Sequence, residues 1–383
     1  MTERNDDYQY RERQIDNMAD RALLPGTGRI SGYASCFLGI ISFFGALCFK
    51  YPEYLTTREL REVYNPYVLQ DVLKWAMWTA LALGVYTFIQ GRRRRLGAIG
   101  IGGTLLAFAL GGYTISPRAV TPTEVSLGLD WFVLDLMISA AVFVCIEKIW
   151  PKYKEQAVLR PEWRTDLIYF GVNHLLIAIL LLAANGFAPK FFSWAINSDV
   201  RGFMHSMPIW GQALVMALCA DFVLYWSHRF FHEVPALWKF HAVHHCTEHM
   251  DWLAGSRNHP VQMFVDRCAA MVPLYLLGGQ KEALDLYVTL AAFQAVFVHA
   301  NVGIPFGPLK YVIATPQFHH WHHSSEKPAI DTNYAVHFPL FDYLFGTAHM
   351  PDENWPAEYG TTKRLPRTFW PQLLYPFRKS EPE

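Results

Sequence analysis

The segment WSHRFFHEVPALWKFHAVHH, residues 226–245, follows directly on an apolar stretch and holds five of the chain's 16 histidines. His228 and His232 are spaced four residues apart, and His241, His244 and His245 are spaced at i, i+3 and i+4. On an α-helix these spacings place side chains on one face, one turn apart. The segment therefore predicts helical stripes of imidazoles where a long apolar helix ends.

A third cluster, HHWHH at residues 319–323, repeats the pattern. His319, His322 and His323 have the same i, i+3, i+4 spacing, and His320 is out of phase. Each stripe offers a partial coordination sphere, and imidazole suits iron, copper, zinc and nickel. Zinc sites typically close at three or four ligands. Eight or more histidines without thiolate therefore favour two redox-active iron ions that act on O2.

The composition points to a membrane. Of 383 residues, 52% are hydrophobic and 17% are charged, below the roughly 25% charged residues of soluble domains. Lys+Arg and Asp+Glu are equal at 33 each, so no bulk basic field indicates nucleic acid. A membrane span needs about 20 mostly apolar residues. Six stretches meet this requirement: 30–49, 72–90, 96–115, 129–150, 165–186 and 208–226.

Two weaker apolar stretches, 261–277 and 283–299, are separated by the turn-like Gly278-Gly279-Gln280. They predict a helical hairpin that dips into the membrane and returns to the same side.

Basic residues at 92–95 and between 148 and 164 orient the spans by the positive-inside rule. The N-terminus is then cytoplasmic, as are the chain that emerges after Trp226 and the C-terminal part beyond the hairpin.

Histidines are confined to one part of the chain, because 14 of the 16 lie within residues 228–349 and none precedes residue 156. We therefore expect an all-α integral membrane protein, a multi-span helical bundle with a cytoplasmic histidine-rich helical cap. Its predicted divisions are a polar cytoplasmic N-terminus (1–29), a four-helix membrane unit (30–155), a histidine-bearing unit (156–352) and a C-terminal tail (353–383).

The remaining polar residues give weaker signals. The six scattered cysteines predict neither disulfides nor a zinc–thiolate site, and the polar first twenty residues do not fit a cleavable signal peptide. Asp221 lies in a span seven residues before His228, so it either orients a ligand histidine or makes a capping or interhelical hydrogen bond. Asp135 has the same ambiguity. Isolated histidines predict ordinary satisfied polar groups: His174, His205 and His349.

These motifs resemble the fatty acid hydroxylase / sterol desaturase superfamily over about residues 165–352. The resemblance is carried by five short segments, HRFFHE (228–233), LWKFHAVHH (237–245), TPQFHHWHH (315–323), DTNY (331–334) and DYLFGT (342–347). The stretch from Phe293 to His299 is similar to the alkylglycerol monooxygenase branch. The first four spans lie outside the resemblance, and their role stays open.

The resemblance implies a membrane-bound di-iron monooxygenase, hydroxylase or desaturase within residues 156–352. O2 would be its co-substrate, and a separate electron-transfer protein would be its external electron donor. The implied metal ligands are His228, His232, His241, His244, His245, His299, His319, His322 and His323. His320 falls outside the motif phase, and spacing does not support His249 or His259. Asn333 is a pocket residue or a turn residue.

Alternatives of other classes remain. A histidine-rich metal transporter or sensor would place ligands within the spans, whereas these follow the end of a span. A protein that had lost catalysis would be expected to have broken motifs, and these are intact. Cysteine spacing gives no iron–sulfur domain. The substrate class stays open among sterols, fatty acyl chains, ether lipids, carotenoids and small hydrophobic metabolites, as does the choice between hydroxylation and desaturation.

Aromatic residues beside the histidines have two interpretations. They either line an apolar cavity open to the bilayer or pack between helices and at the membrane interface, and the second role suits most of them. They are Phe230, Phe231, Trp238, Trp252, Phe318 and Trp321.

Overall fold

The computed structural model describes residues 28–91, 93–115, 126–351 and 354–378. Within these ranges the chain is α-helical and contains no β-strand, so the predicted all-α class is confirmed. The polar N-terminus predicted for 1–29 lies outside the described residues up to position 27. The first six helices are α1 (Arg29–Lys50), α2 (Pro52–Leu55), α3 (Arg58–Val63), α4 (Pro66–Ile89), α5 (Arg94–Ala109) and α6 (Leu129–Ile149).

The later helices are shorter on average and carry the histidines. They are α7 (Trp163–Phe192), α8 (Ser198–Ser206), α9 (Ile209–Glu233), α10 (Pro235–His245), α11 (Pro260–Leu277), α12 (Lys281–Phe297), α13 (Pro316–His322), α14 (Leu340–Phe345) and α15 (Phe369–Leu373). Single 3-10 turns lie at Ser193–Ala195, Ala254–Ser256, Gly307–Tyr311, Lys327–Ala329 and Tyr375–Phe377.

Four of the described helices are long and apolar enough to cross a membrane. They contain the candidate spans Ile30–Lys50, Pro66–Ile89, Leu129–Ile149 and Ile209–Glu233. These correspond to the first, second, fourth and sixth predicted spans. The protein is therefore an integral membrane protein.

The third predicted span is wrong in length. Helix α5 has 16 residues, which is about 24 Å at 1.5 Å per residue and short of the ~30 Å hydrocarbon core. The chain turns after Ala109 because Gly111 adopts a left-handed φ of 88°, which only glycine takes up readily. Residues 110–115 therefore lie beyond the helix.

The fifth predicted span lies within α7, a 30-residue helix with Pro189 inside it; the side chains of residues 177–185 are outside the described part. The predicted hairpin is present as helices α11 and α12. Gly278 ends α11 in the left-handed conformation with φ 58°, as a helix-ending glycine commonly does. Membrane crossing by α7 and the dipping of the hairpin into the membrane stay predictions.

The chain forms two compact units, Met1–Ile138 with Ala157–Arg160, and Ser139–Gln156 with Pro161–Glu383. The division falls inside α6. These are packing units, so the predicted domain boundary at residue 155 stays a prediction.

Small residues hold α1, α4 and α5 of the first unit together. A Cβ added at Gly103 would lie 2.6 Å from the carbonyl oxygen of Gly39, and one at Gly84 would lie 2.7 Å from Ser35 Oγ. Ser35 Oγ also donates a hydrogen bond to the Ala80 carbonyl at 2.8 Å. Such close backbone approach is how helices associate in lipid, where no hydrophobic force drives them together.

Helix α9 is central to the second unit and packs against α10, α11 and α12. Its buried contacts include Ala213, Met216 and Ala220, packed with Leu274 of α11 and Tyr287 of α12. The last turns of α9 carry the first histidine pair. The chain then leaves the helix at Val234 (φ −94°, ψ 113°) and begins α10 at Pro235, because a residue before proline disfavours the helical region.

We expect Gly100→Leu to destabilise the first unit by about 2–3 kcal/mol or more. A Cβ there would lie 2.6 Å from the Ser35 carbonyl oxygen, whereas one at Gly102 meets nothing within 4 Å. Thermal unfolding of the purified protein in detergent measures the effect, with Gly102→Leu as the matched control. Equal unfolding temperatures for the two variants would contradict the proposed packing.

Candidate metal centre

Four chain segments bring the histidines together. The end of α9 carries His228 and His232, and α10 ends with the second cluster. His299 lies two residues beyond α12, and α13 carries the third cluster. Thr315 starts α13 by accepting a hydrogen bond from the Phe318 N–H, a common helix N-cap arrangement.

The nine predicted ligand histidines form two adjacent groups. In each group, one ring nitrogen from every histidine lies within 4.8 Å of those of the others. The pentad is His228, His232, His241, His245 and His322, and the tetrad is His244, His299, His319 and His323. The side chains are buried, and that of His232, at the rim of the pentad, is 4% exposed. The structure therefore places every predicted ligand in one of two clusters able to hold a metal ion.

The two groups touch through neighbouring rings. His245 of the pentad stacks on His323 of the tetrad with ring centroids 4.4 Å apart. His244 and His245 are consecutive in α10, yet their rings point into different groups, with an interplanar angle of 90°. One turn of helix thus contributes to both clusters.

Six of the nine rings donate Nδ1–H to an oxygen that can only accept. Because each oxygen belongs to a carbonyl, a carboxylate or the Oε1 of an amide, the hydrogen bond fixes the tautomer and leaves the opposite Nε2 with its lone pair. The pairs are His228–Tyr334 O (2.7 Å), His232–Asp331 Oδ1 (3.1 Å), His241–Gln262 Oε1 (2.9 Å), His244–Arg257 O (3.1 Å), His299–Ala295 O (2.8 Å) and His322–Thr332 O (2.8 Å).

The Nε2 atoms face one another without a proton between them. His228 Nε2 and His241 Nε2 lie 2.9 Å apart, and His244 Nε2 and His299 Nε2 lie 3.2 Å apart. In both pairs each ring already donates from Nδ1, so two neutral rings would oppose lone pair to lone pair. The buried His322 Nε2 has no hydrogen-bond partner. A metal cation bound between these nitrogens satisfies all of them, so the donor set fits metal ions.

Burial keeps the rings in the form that metals bind. It lowers the pKa of His241, His244 and His322 well below the ordinary 6.5, and neighbouring histidines lower it further. The same causes lower the pKa of His319 and His323. Neutral imidazole is the ligand form, so these rings are ready to coordinate at neutral pH.

A strap of four residues, 331–334, supports three of the pentad histidines. Its acceptors are the Asp331 carboxylate and the carbonyls of Thr332 and Tyr334. Asp331 and Asn333 both adopt φ 59°, a left-handed conformation that costs free energy in residues other than glycine. The two left-handed residues bracket Thr332 in the segment that supplies all three acceptors.

Two polar side chains clamp the strap. Asn333 Nδ2 donates to the carbonyls of Phe318 (3.0 Å) and His349 (2.7 Å), and its Oδ1 accepts from the His349 N–H. The buried Asp342 carboxylate accepts from the Tyr334 N–H at 2.8 Å. Asn333 is therefore a turn residue that holds its neighbours, which decides between the two roles predicted for it.

Asp221 contacts no ligand histidine, so the prediction that it orients one is wrong. Its buried carboxylate accepts three backbone N–H groups, from Val336 (2.9 Å), His337 (2.9 Å) and Phe338 (2.7 Å). The alternative interpretation, a capping hydrogen bond, is the observed one. The reason is that the chain beyond the strap, rather than a histidine, lies against this side of α9.

The other histidines lie outside both groups. His320 Nδ1 lies 2.9 Å from the Tyr359 hydroxyl, and its Nε2 lies 3.3 Å from the His299 carbonyl. His259 caps α11 by accepting from the Val261 N–H. The remaining ones that the sequence singled out, His174, His205, His249 and His349, also belong to neither group.

Sequence reasoning missed the Gln262 amide, which supports His241. Gln262 Nε2 donates to Asp266 Oδ2 at 3.3 Å, and Asp266 Oδ1 accepts from Ser227 Oγ at 2.6 Å. The hydrogen bond from Gln262 Nε2 to Asp266 turns the amide oxygen towards the His241 ring. The available signal was Asp266 itself, since an ionisable residue in an apolar stretch marks a functional candidate.

A buried ion-pair network likewise supports His244. The Arg257 side chain is fully buried and pairs with Asp166 and with Glu162 Oε2, the latter at 2.7 Å. A buried charge left without its partner destabilises a fold strongly, so these carboxylates hold Arg257 in place. The carbonyl of the same residue accepts from His244 Nδ1. Nothing in the sequence distinguished Arg257 from other arginines.

Comparison with known proteins identifies the family. The fatty acid hydroxylase family model matches residues 213–347. An ornithine lipid hydroxylase of Rhizobium tropici is 33% identical over 255 residues, which are 66% of this chain and 77% of the relative. The chain belongs to the fatty acid hydroxylase family. The resemblance read from the motifs is thereby confirmed.

Other relatives align with smaller shares of this chain. Alkylglycerol monooxygenase of Homo sapiens is 30% identical over 154 residues, 40% of this chain but only 34% of the relative, so the chain spans about a third of it. A very-long-chain aldehyde decarbonylase of Oryza sativa subsp. indica is 27% identical over 199 residues, 51% of the chain and 70% of the relative. No solved structure matches the chain significantly.

All nine clustered histidines, the strap and its two clamping side chains fall inside the matched range 213–347. The Glu162 and Asp166 carboxylates that hold Arg257 lie before it. The family match thus covers both metal-binding groups, while part of their support comes from the preceding helix α7.

We expect Asn333→Ala to reduce both stability and metal retention. The variant loses three hydrogen bonds and places alanine at φ 59°, together about 2–4 kcal/mol. Asn333→Gly loses the same bonds without the backbone strain, so it is the matched comparison and should be affected less. Thermal unfolding and metal content per chain measure both effects. An alanine variant equal to the unmodified protein in both would show that the strap needs no clamp.

Proposed function

We propose that this protein is an O2-dependent, non-haem di-iron oxidoreductase that hydroxylates a C–H bond of a membrane lipid. The observation that carries the proposal is the pair of imidazole groups whose Nε2 atoms converge while Nδ1–H groups are held outward. The pentad would hold one iron ion and the tetrad the other. An all-imidazole set without thiolate suits iron, and five plus four ligands exceed what one ion takes.

Iron bound by these groups supplies O2 activation and the oxidising power that breaks an unactivated C–H bond. The chain's own residues supply position and exclusion of water. The Nδ1 acceptors fix each ring's orientation, and such outer partners normally contribute strongly to metal affinity. Burial of the histidines limits the access of water to the site.

Lipid is the proposed substrate class for two reasons. The histidine pair at the end of α9 lies in the last two turns of a candidate membrane span, so the site is within reach of a bilayer-dissolved chain. The Rhizobium tropici relative is an ornithine lipid hydroxylase, which favours hydroxylation over desaturation. The active site and N-terminus would face the cytoplasm, and a separate electron-transfer protein would deliver the electrons.

Metal analysis tests the two-ion assignment. We expect about two iron ions per chain in the purified protein, with His322→Ala emptying the pentad and His244→Ala emptying the tetrad. His205→Ala is the control, because His205 is exposed, belongs to neither group, and has its ring Nε2 2.8 Å from the Gly278 carbonyl oxygen. One zinc ion per chain, or full iron content in both ligand variants, would refute the assignment.

Isotopically labelled O2 separates the possible reactions. We expect lipid extracts from cells that express the gene to contain a hydroxylated species with one labelled oxygen atom, absent with the His322→Ala variant. Desaturation would remove two hydrogens and leave no label in the lipid. Lipid mass spectrometry makes the distinction, and a histidine-dependent product without label would overturn hydroxylation while leaving the metal assignment intact.

A further inference from the structure

The segment from Lys363 to Arg378 combines positive charge with exposed aromatic surface. It carries four basic residues and no acidic one. Three large apolar side chains in it are exposed to 69%, 53% and 66%: Trp370, Leu374 and Phe377. We call these three side chains with the four basic residues, Lys363, Arg364, Arg367 and Arg378, the C-terminal face.

The exposed side chains follow a helical spacing. Trp370, Leu374 and Phe377 are separated by four and three residues, across α15 and the 3-10 turn Tyr375–Phe377. Residues four and three apart lie on one side of a helix. Phe369 and Gln372, between or beside them, are buried at 5% and 0% exposure. The segment is therefore amphipathic, with one side packed on the protein and the other uncovered.

The packed side is attached where the chain leaves a membrane span. The 3-10 turn Tyr375–Phe377 packs against α10, and α10 begins two residues after the span that ends at Glu233. Phe377 itself stays 66% exposed and meets Phe240 along one ring edge, with ring centroids 5.6 Å apart. Phe369 packs against Tyr169, in the second turn of α7, at 4.8 Å. These contacts place the C-terminal face beside the end of one span and the start of a long apolar helix.

We propose that the C-terminal face lies in the headgroup layer of the same bilayer and binds anionic phospholipid. Aromatic side chains concentrate at this depth, and amphipathic segments with basic residues bind it through apolar burial together with electrostatic attraction. The anchor would hold the histidine-bearing end of α10 at the membrane surface. This inference is independent of the proposed oxidation chemistry.

The charges favour lipid over a soluble acidic protein. Arg367 lies 3.5 Å from Glu162 and 3.8 Å from Glu248, which partly neutralises its charge. Within the part of the chain that the structure describes, no ion pair involves the other three basic residues. An acidic protein would engage these charges without needing the three apolar side chains, whereas a lipid headgroup layer accommodates both kinds of group. Large exposed apolar patches mark protein–protein or membrane interaction sites, and the position of this one beside a candidate span favours the membrane.

Hydrogen–deuterium exchange of the full chain in nanodiscs tests the proposal. One set of discs contains phosphatidylcholine alone, and the other contains phosphatidylcholine with phosphatidylglycerol. We expect amides of residues 369–378 to exchange roughly fivefold more slowly in the anionic discs. The variant Lys363→Gln/Arg364→Gln/Arg378→Gln should lose this difference. Trp370→Ser/Phe377→Ser should exchange faster in both kinds of disc.

The matched control removes three exposed positive charges elsewhere, with Lys154→Gln/Lys190→Gln/Lys327→Gln, and should keep the slow exchange. Equal rates in the two lipid compositions would overturn the proposal, as would loss of the difference in the control. Protection that arises only when an acidic soluble protein is added would assign the face to a protein partner instead. Iron content and lipid product, measured on the same variants, report separately on the proposed oxidation.

Discussion

The histidine-bearing unit holds pairs of nitrogen lone pairs about 3 Å apart in a buried site, although such lone pairs repel each other. The rest of this unit depends on how that repulsion is overcome. The arrangement is stable because a hydrogen bond to Nδ1, on the side of the ring opposite Nε2, fixes the orientation of each ring in these pairs. His228 and His241 present Nε2 to one another since their Nδ1–H groups are held by the Tyr334 carbonyl and the Gln262 amide. A cation turns this repulsion into attraction. The fold can therefore be understood as scaffolding that keeps imidazoles in an orientation they would otherwise avoid.

The carboxylates of this unit serve mostly as backbone anchors. Asp221 holds three successive N–H groups and Asp342 holds the strap, while Glu147 accepts from the backbone of Trp252 and Asn301. Irregular backbone close to a membrane needs its polar groups satisfied. Asp221, which the sequence suggests as a residue that orients a ligand histidine, thus stabilises the backbone next to the strap instead.

The helical spacing of the histidines carried most of the prediction, because residues three and four apart share a face wherever a helix forms. His299 lies outside the three histidine clusters of the sequence, and it was predicted as a ligand only through the family resemblance. The Nδ1 acceptors could not be predicted from the sequence, because four of the six are backbone carbonyls, which every residue type supplies. Asp221 was misjudged because its partner, the chain after Tyr334, is more than a hundred residues away. The third span was predicted too long because helix α5 ends before the turn at Gly111, and the apolar pattern of the sequence continues through that turn.

His244 and His245 are neighbours in the chain, yet they belong to different groups. In the proposed two-ion centre, an ion held by the tetrad would restrain the backbone of α10, and the same backbone sets the position of the pentad ring of His245. A second ion would then bind with a smaller loss of conformational entropy. Through this shared helix turn, occupancy of one group would strengthen metal binding at the other.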